Sequence, residues 1–134
     1  MSGFSDYLEG QAIEATLRGA TYTGGAVYVA LYTTDPTDAD SGAELTDSGY
    51  VRQQAHASVV SDGFTVPANG VSTNANTIAF PAVVDIQITV THWSIFDAQA
   101  AGNMLYHAPL TSSKILDPSD VLSFPVGSLS VTLS

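Results

Sequence analysis

The stretch THWSIFDAQAAGNMLYHAPL, residues 91–110, carries the side chains of hydrolytic or metal chemistry: His92, Asp97 and His107. A histidine oriented by a carboxylate is a general base, and two histidines with a third ligand can hold zinc. The spacing speaks against both. His92 and Asp97 lie five residues apart in IQITVTHWSIFD, so a regular pleat turns them to opposite faces unless a bulge intervenes. No serine sits in a G-x-S-x-G elbow, no H-E-x-x-H occurs, and the chain has no cysteine, which removes thiolate metal sites, disulfides and a cysteine nucleophile. Trp93 could serve as a sugar platform, but a glycosidase needs two carboxyls flanking one cleft, and no such pair is evident. The stretch reads better as a β-hairpin that packs: THWSIF, then DAQAAGN with a glycine and an asparagine that tolerate positive φ, then MLYHAPL.

The second candidate is TDPTDADSGAELTDSG, 34–49, with five carboxylates. An EF-hand wants ligands at alternate positions, a glycine at the sixth and a glutamate at the twelfth, and Asp35, Asp38 and Asp40 do not fit. The run reads as a turn-rich loop in which Pro36 fixes φ and aspartates cap local backbone donors; whether it takes a cation stays open. Arg52, in GYVRQ, is expected to seek a carboxylate in that loop, an inter-subunit bridge being the alternative.

These groups must be positioned by mostly β elements. SDYLEGQAIEATLR, 5–18, is the one convincing helix: Ser5 is its N-cap, Asp6 and Glu9 come early, Arg18 late, and Gly19 can end it. Leu8, Ala12 and Ala15 share one face, while Ile13 and Leu17 lie on another, so the helix has apolar groups for two surfaces. Gly10 costs such a helix about 1 kcal/mol relative to alanine, so tertiary or partner contacts must hold it. From Ala26 the period changes to two, with Val27, Val29 and Leu31 on one side and Tyr28, Ala30 and Tyr32 on the other. Further strands are expected near 50–60, 77–82, 86–97, 103–110, 121–126 and 129–134, divided by SDG, PANG, AAGN and DPSD. The pattern predicts a single mainly β domain over 1–134, a β-sandwich or jelly-roll-like set of antiparallel sheets with one N-terminal helix.

Charge narrows the partners. Thirteen acids oppose Arg18, Arg52 and Lys114, a formal net charge of −10, so phosphate is repelled and direct nucleic-acid binding is not expected. Hydrophobic residues make up 45% and charged residues 12%, which excludes a disordered chain, yet no run approaches the roughly 20 apolar residues of a membrane span. The first residues lack the basic start and apolar run of a signal peptide, so synthesis and retention in a cytoplasm, or exit inside an assembly, are expected.

The helix ending ATLRG, then VYVALYTTDPTDADSG, GYVRQ, TIAFPA, VTHWSIFDAQAAGNMLYHAPLT and SDVLSFPVGSLSVTL, together resemble small structural proteins of tailed bacteriophages and their prophages, labelled tail-fibre or capsid-stabilising proteins. The resemblance spans nearly the whole chain and implies an all-β, oligomeric virion component without cofactor or catalytic residues. Of the two roles it implies, the compact chain without fibrous repeats leans to capsid decoration. In that role a cement protein, trimeric by expectation, binds the major capsid protein on the shell's outer surface and stabilises the expanded lattice by mass action. The alternative is a tail or tail-fibre component involved in host adsorption. Candidate contact residues are Phe4, Leu8, Ile13 and Leu17 with Tyr7, Tyr28 and Tyr32, aromatics being common interface anchors.

Overall fold

A computed structural model describes residues 3–133. In chain order the elements are β1 (Gly3–Phe4), α1 (Asp6–Leu17), β2 (Tyr28–Tyr32), β3 (Gln53–Gln54), β4 (Val71–Thr73), β5 (Ile78–Ala79), β6 (Ile88–Phe96), β7 (Met104–Leu116), β8 (Ser123–Phe124) and β9 (Ser130–Thr132). The chain is mainly β with one N-terminal helix and antiparallel sheets, as its periodicity predicts. One sheet has five strands in the order β1-β7-β6-β2-β3, and β4-β9 and β5-β8 form two short ribbons.

The helix begins where its cap requires. The Ser5 side chain accepts the Leu8 N–H at 3.1 Å, and its hydroxyl donates to the Met104 carbonyl, which fastens the helix start to the sheet. Gly19 takes φ 73°, and the Ala20 N–H then turns back to the Glu14 carbonyl at 3.0 Å. Only Leu8 is buried, with Ala12 and Ala15 half-buried beside it, while Ile13 and Leu17 are 54% and 79% exposed.

The two apolar faces of β2 have separate destinations. Val29 and Leu31 join the main core with Trp93, Ile95, Leu105, Phe80 and Leu129, so the two ribbons pack on that face. Ala30 and Tyr32 form a second small cluster with Phe96 and Met104 on the opposite face. Burial on both faces is why YVALY is apolar without interruption.

Where the ribbons meet, Asn74 is fully buried and acts as a clamp. Its Nδ2 donates to the carbonyls of Asn76 and Pro125 at 2.8 and 2.9 Å, and its Oδ1 accepts the Leu129 N–H at 2.8 Å. It ties the end of β4 to the chain between β8 and β9.

Several strand expectations need correction. The strand expected at 50–60 shrinks to Gln53–Gln54, and a 3₁₀ turn occupies Val60–Asp62: after Ala55 the chain leaves the sheet, and residues 57–62 are exposed. β1 and β4 were not expected, being too short to show a period. β7 runs on to Leu116 where a stop near 110 was expected, since its far half pairs with the start of β6: Ile88 faces Leu116, and Val90 faces Lys114. The expected strands at 121–126 and 129–134 are trimmed to Ser123–Phe124 and Ser130–Thr132, and residue 134 lies outside the described residues.

The hairpin read from residues 91–110 is present. Positive φ falls on Ala101 and Gly102, at 53° and 74°, not on Asn103. A Cβ on Gly102 would lie 2.6 Å from Asp97 Oδ1, so glycine is required there by space as well as conformation.

Candidate functional site

Several ionisable residues gather where the loop 34–49 lies against the sheet, and Arg52, Glu44, Asp40, Asp38 and Asp47 are used in fastening that loop. Arg52 is the centre. Its Nε donates to Glu44 Oε2 and its Nη2 to Glu44 Oε1, both at 2.9 Å, a bidentate pair made by a side chain only 8% exposed. Nη1 reaches the carbonyls of Ala98 and Ala101 at 3.0 and 2.7 Å, and the guanidinium carbon stands 3.6 Å from the Phe96 ring centroid. The internal ion pair expected for Arg52 is therefore present, and it joins two loops through one cation.

Two phenols complete the network. Tyr50 donates to Glu44 Oε2 at 2.6 Å, and Tyr32, stacked on Phe96, donates to Asp40 Oδ1 at 2.5 Å. Burial first, then the carboxylate each one faces, pushes both phenols far above their ordinary range, so they remain neutral donors. Gly42 is where the loop folds closely back on itself: a Cβ there would come within 2.4 Å of the Asp35 carbonyl oxygen.

His92, Asp97 and His107 do not converge. Asp97 closes the hairpin by accepting the Asn103 N–H at 2.7 Å and its Nδ2 at 3.0 Å. His107 Nε2 lies 2.7 Å from Asp38 Oδ1, whereas His92 contacts Thr91 Oγ1 at 2.8 Å and stands 3.9 Å from Asp35. A bulge does occur between Ile95 and Phe96, but it serves the hairpin and assembles no dyad. Among the described residues no three of His, Asp and Glu form a metal-ligand group, and no helix is long and apolar enough to cross a membrane.

Asp47 anchors the other end of the loop. Its carboxylate accepts the Asp85 N–H at 2.8 Å, the Val84 N–H at 3.0 Å and the Gly49 N–H at 3.0 Å. These donors, led by Asp85, hold its carboxyl below the usual 3.8. The unfolded chain therefore takes up the proton first as pH falls. The Asp47 contribution is complete at neutral pH and is lost as pH drops through the ordinary carboxylate range to the lower folded value. Melting temperature measured from pH 7 to pH 2 should fall more steeply below about pH 4 for the native chain than for Asp47→Asn. Parallel curves would remove Asp47 from the acid response.

The candidate contact residues divide by exposure. Leu8 and Tyr32 are buried within the chain, Phe4 is half-buried edge-on against Tyr106 at 5.4 Å, and Tyr28 is half-buried in β2. Tyr7, Ile13 and Leu17 reach solvent. The Glu44–Tyr50–Arg52 network was legible only as an ion pair, because nothing local in GYVRQ shows that Tyr50 points at the same carboxylate.

The ionisable groups described above fasten loops of the chain itself, and α1 shows Ile13 and Leu17 to water. A family model described as Podophage GP4 fiber I protein gp80 matches residues 3–132, and the chain belongs to that family of phage structural proteins. It is a virion structural protein. No curated protein matches the chain.

Proposed function

We propose that the chain is a repeated structural unit of a phage tail fibre that associates with further copies of itself through exposed apolar side chains. The family description, a fibre protein matched over residues 3–132, carries this reading. It favours the fibre role over the shell-decorating role that the compact sequence suggested first. The outward line of Ile13 and Leu17 on α1 supplies contact surface, and Tyr7 is exposed on a different side of the same helix. A trimer, the expected assembly, would bring these helices together, and the role requires no bond to be made or broken.

Counting copies in purified particles tests the reading. A fibre unit is present in a small fixed number set by tail symmetry and co-purifies with detached tails. A copy number approaching that of the major capsid protein, lost with stripped shells, would establish decoration instead.

A further inference from the structure

The outer face of α1 has a composition that the chain's own fold does not explain. Gly10, Ile13 and Leu17 fall at i, i+3 and i+7, so they share one face of the helix, turned away from the buried Leu8. Ile13 and Leu17 stand in water. A Cβ built on Gly10 meets nothing within 4 Å, so alanine would fit there and would favour the helix. Nothing among the described residues asks for glycine at this position, whereas a close approach from outside the chain does.

A groove of about 330 Å³ opens between residues 60–67 and the sheet at Val27, Ile95 and Tyr106. Its apolar lining reaches solvent: Val60 is 46% exposed, Pro67 is exposed, and Val27, Phe64 and Tyr106 are half-buried. None of its lining residues is charged, although the chain carries thirteen acids and a net charge of −10. Two copies of such a chain repel over most of their surface, and an uncharged groove is where a helix bearing Asp6, Glu9 and Glu14 can seat without facing carboxylates. Charge also complements the fit at one end. Arg18 follows Leu17 directly, its side chain is 70% exposed, and its only ion pair is the solvent-facing one with Glu14. Asp62, two residues from Val60, is exposed and makes no ion pair among the described residues.

We propose that the ridge of Gly10, Ile13 and Leu17 on one copy seats in this groove on the next, with Arg18 against Asp62 at its rim. This rests on the self-association read above and names its two surfaces. Ridge and groove are different patches of the chain, so the contact is head to tail and closes into a ring or runs on as a filament; a trimer is the three-membered ring.

Sedimentation equilibrium of the intact chain measures the association. Leu17→Glu and Val60→Glu, both at exposed positions, should each weaken it at least about tenfold, the worth of one buried aliphatic side chain. Ile86→Glu, at a position 71% exposed and outside both surfaces, should leave it unchanged. The two disrupted chains should complement each other. In an NMR titration the labelled Leu17→Glu chain, whose groove is native, should shift saturably at Val60, Phe64 and Tyr106 when unlabelled Val60→Glu, whose helix is native, is added. Gly10→Ala should raise the melting temperature of the Leu17→Glu chain and yet weaken association of the native one. Arg18→Glu should weaken association, and Asp62→Arg in the same chain should restore it. An oligomer unmoved by Leu17→Glu or Val60→Glu, an equal loss with Ile86→Glu, tighter association with Gly10→Ala, or failure of the complementation or the charge rescue overturns the ridge-and-groove contact and leaves self-association standing. A native chain that stays monomeric up to its solubility limit overturns both.

Discussion

Arg52→Ala is expected to lower the free energy of unfolding by about 3–5 kcal/mol, the usual cost of removing one member of a buried ion pair. The reason is what the substitution strands. Glu44 would keep one donor, Tyr50, for a carboxylate that is only 26% exposed, and the carbonyls of Ala98 and Ala101 would lose their shared partner. Phe96 would also lose the cation stacked on its ring. Arg52→Lys should recover only part of the loss, since an ammonium cannot span both Glu44 oxygens and the two carbonyls in one plane. Denaturant unfolding of Arg52→Ala, Glu44→Gln and the double variant gives the coupling, expected at about 1–3 kcal/mol. A single-variant loss below about 0.5 kcal/mol would place Arg52 with ordinary surface charges.

Asn74→Ala is the second large effect, at about 3 kcal/mol, because it leaves the Asn76 carbonyl and the Leu129 N–H unpaired at a position with no exposure, and takes one donor from the Pro125 carbonyl, which keeps Ser128. Asn74→Asp should cost at least as much at neutral pH. A carboxylate accepts from Leu129 but has no proton to give Asn76 or Pro125. Loss of protection in hydrogen exchange should concentrate in β4 and β9, which Asn74 holds to the β8 side of the fold. Uniform destabilisation without that local signature would count against a clamp.

Both predictions show which parts of the molecule were legible in the sequence. The helix announced itself through Ser5, the early acids and Gly19, all local signals, and the structure begins and ends it accordingly. β2 and the 91–110 hairpin were visible from period and turn residues. Arg52 could be paired because so few cations compete for the acids. Asn74 could not be found, since nothing in VSTNAN marks it and its three partners come from Asn76, Pro125 and Leu129. The far half of β7 was hidden for a related reason: LTSSKI has no alternation, and the bulge at 110–113 breaks the register that would have marked it. Exposure of contact residues is also a tertiary fact. Leu8 and Ile13 lie on different helix faces, and only the sheet's position decides that the first is buried and the second left in water.

The role in the particle is tested most directly by electron cryomicroscopy of intact virions, with the chain's five-stranded sheet and helix fitted to the density. The expected result is density for this fold on the appendages of the tail, in a number fixed by tail symmetry, with α1 at contacts between copies. Finding the fold spread over the shell lattice at the junctions of major capsid subunits, with none on the tail, would contradict the fibre assignment.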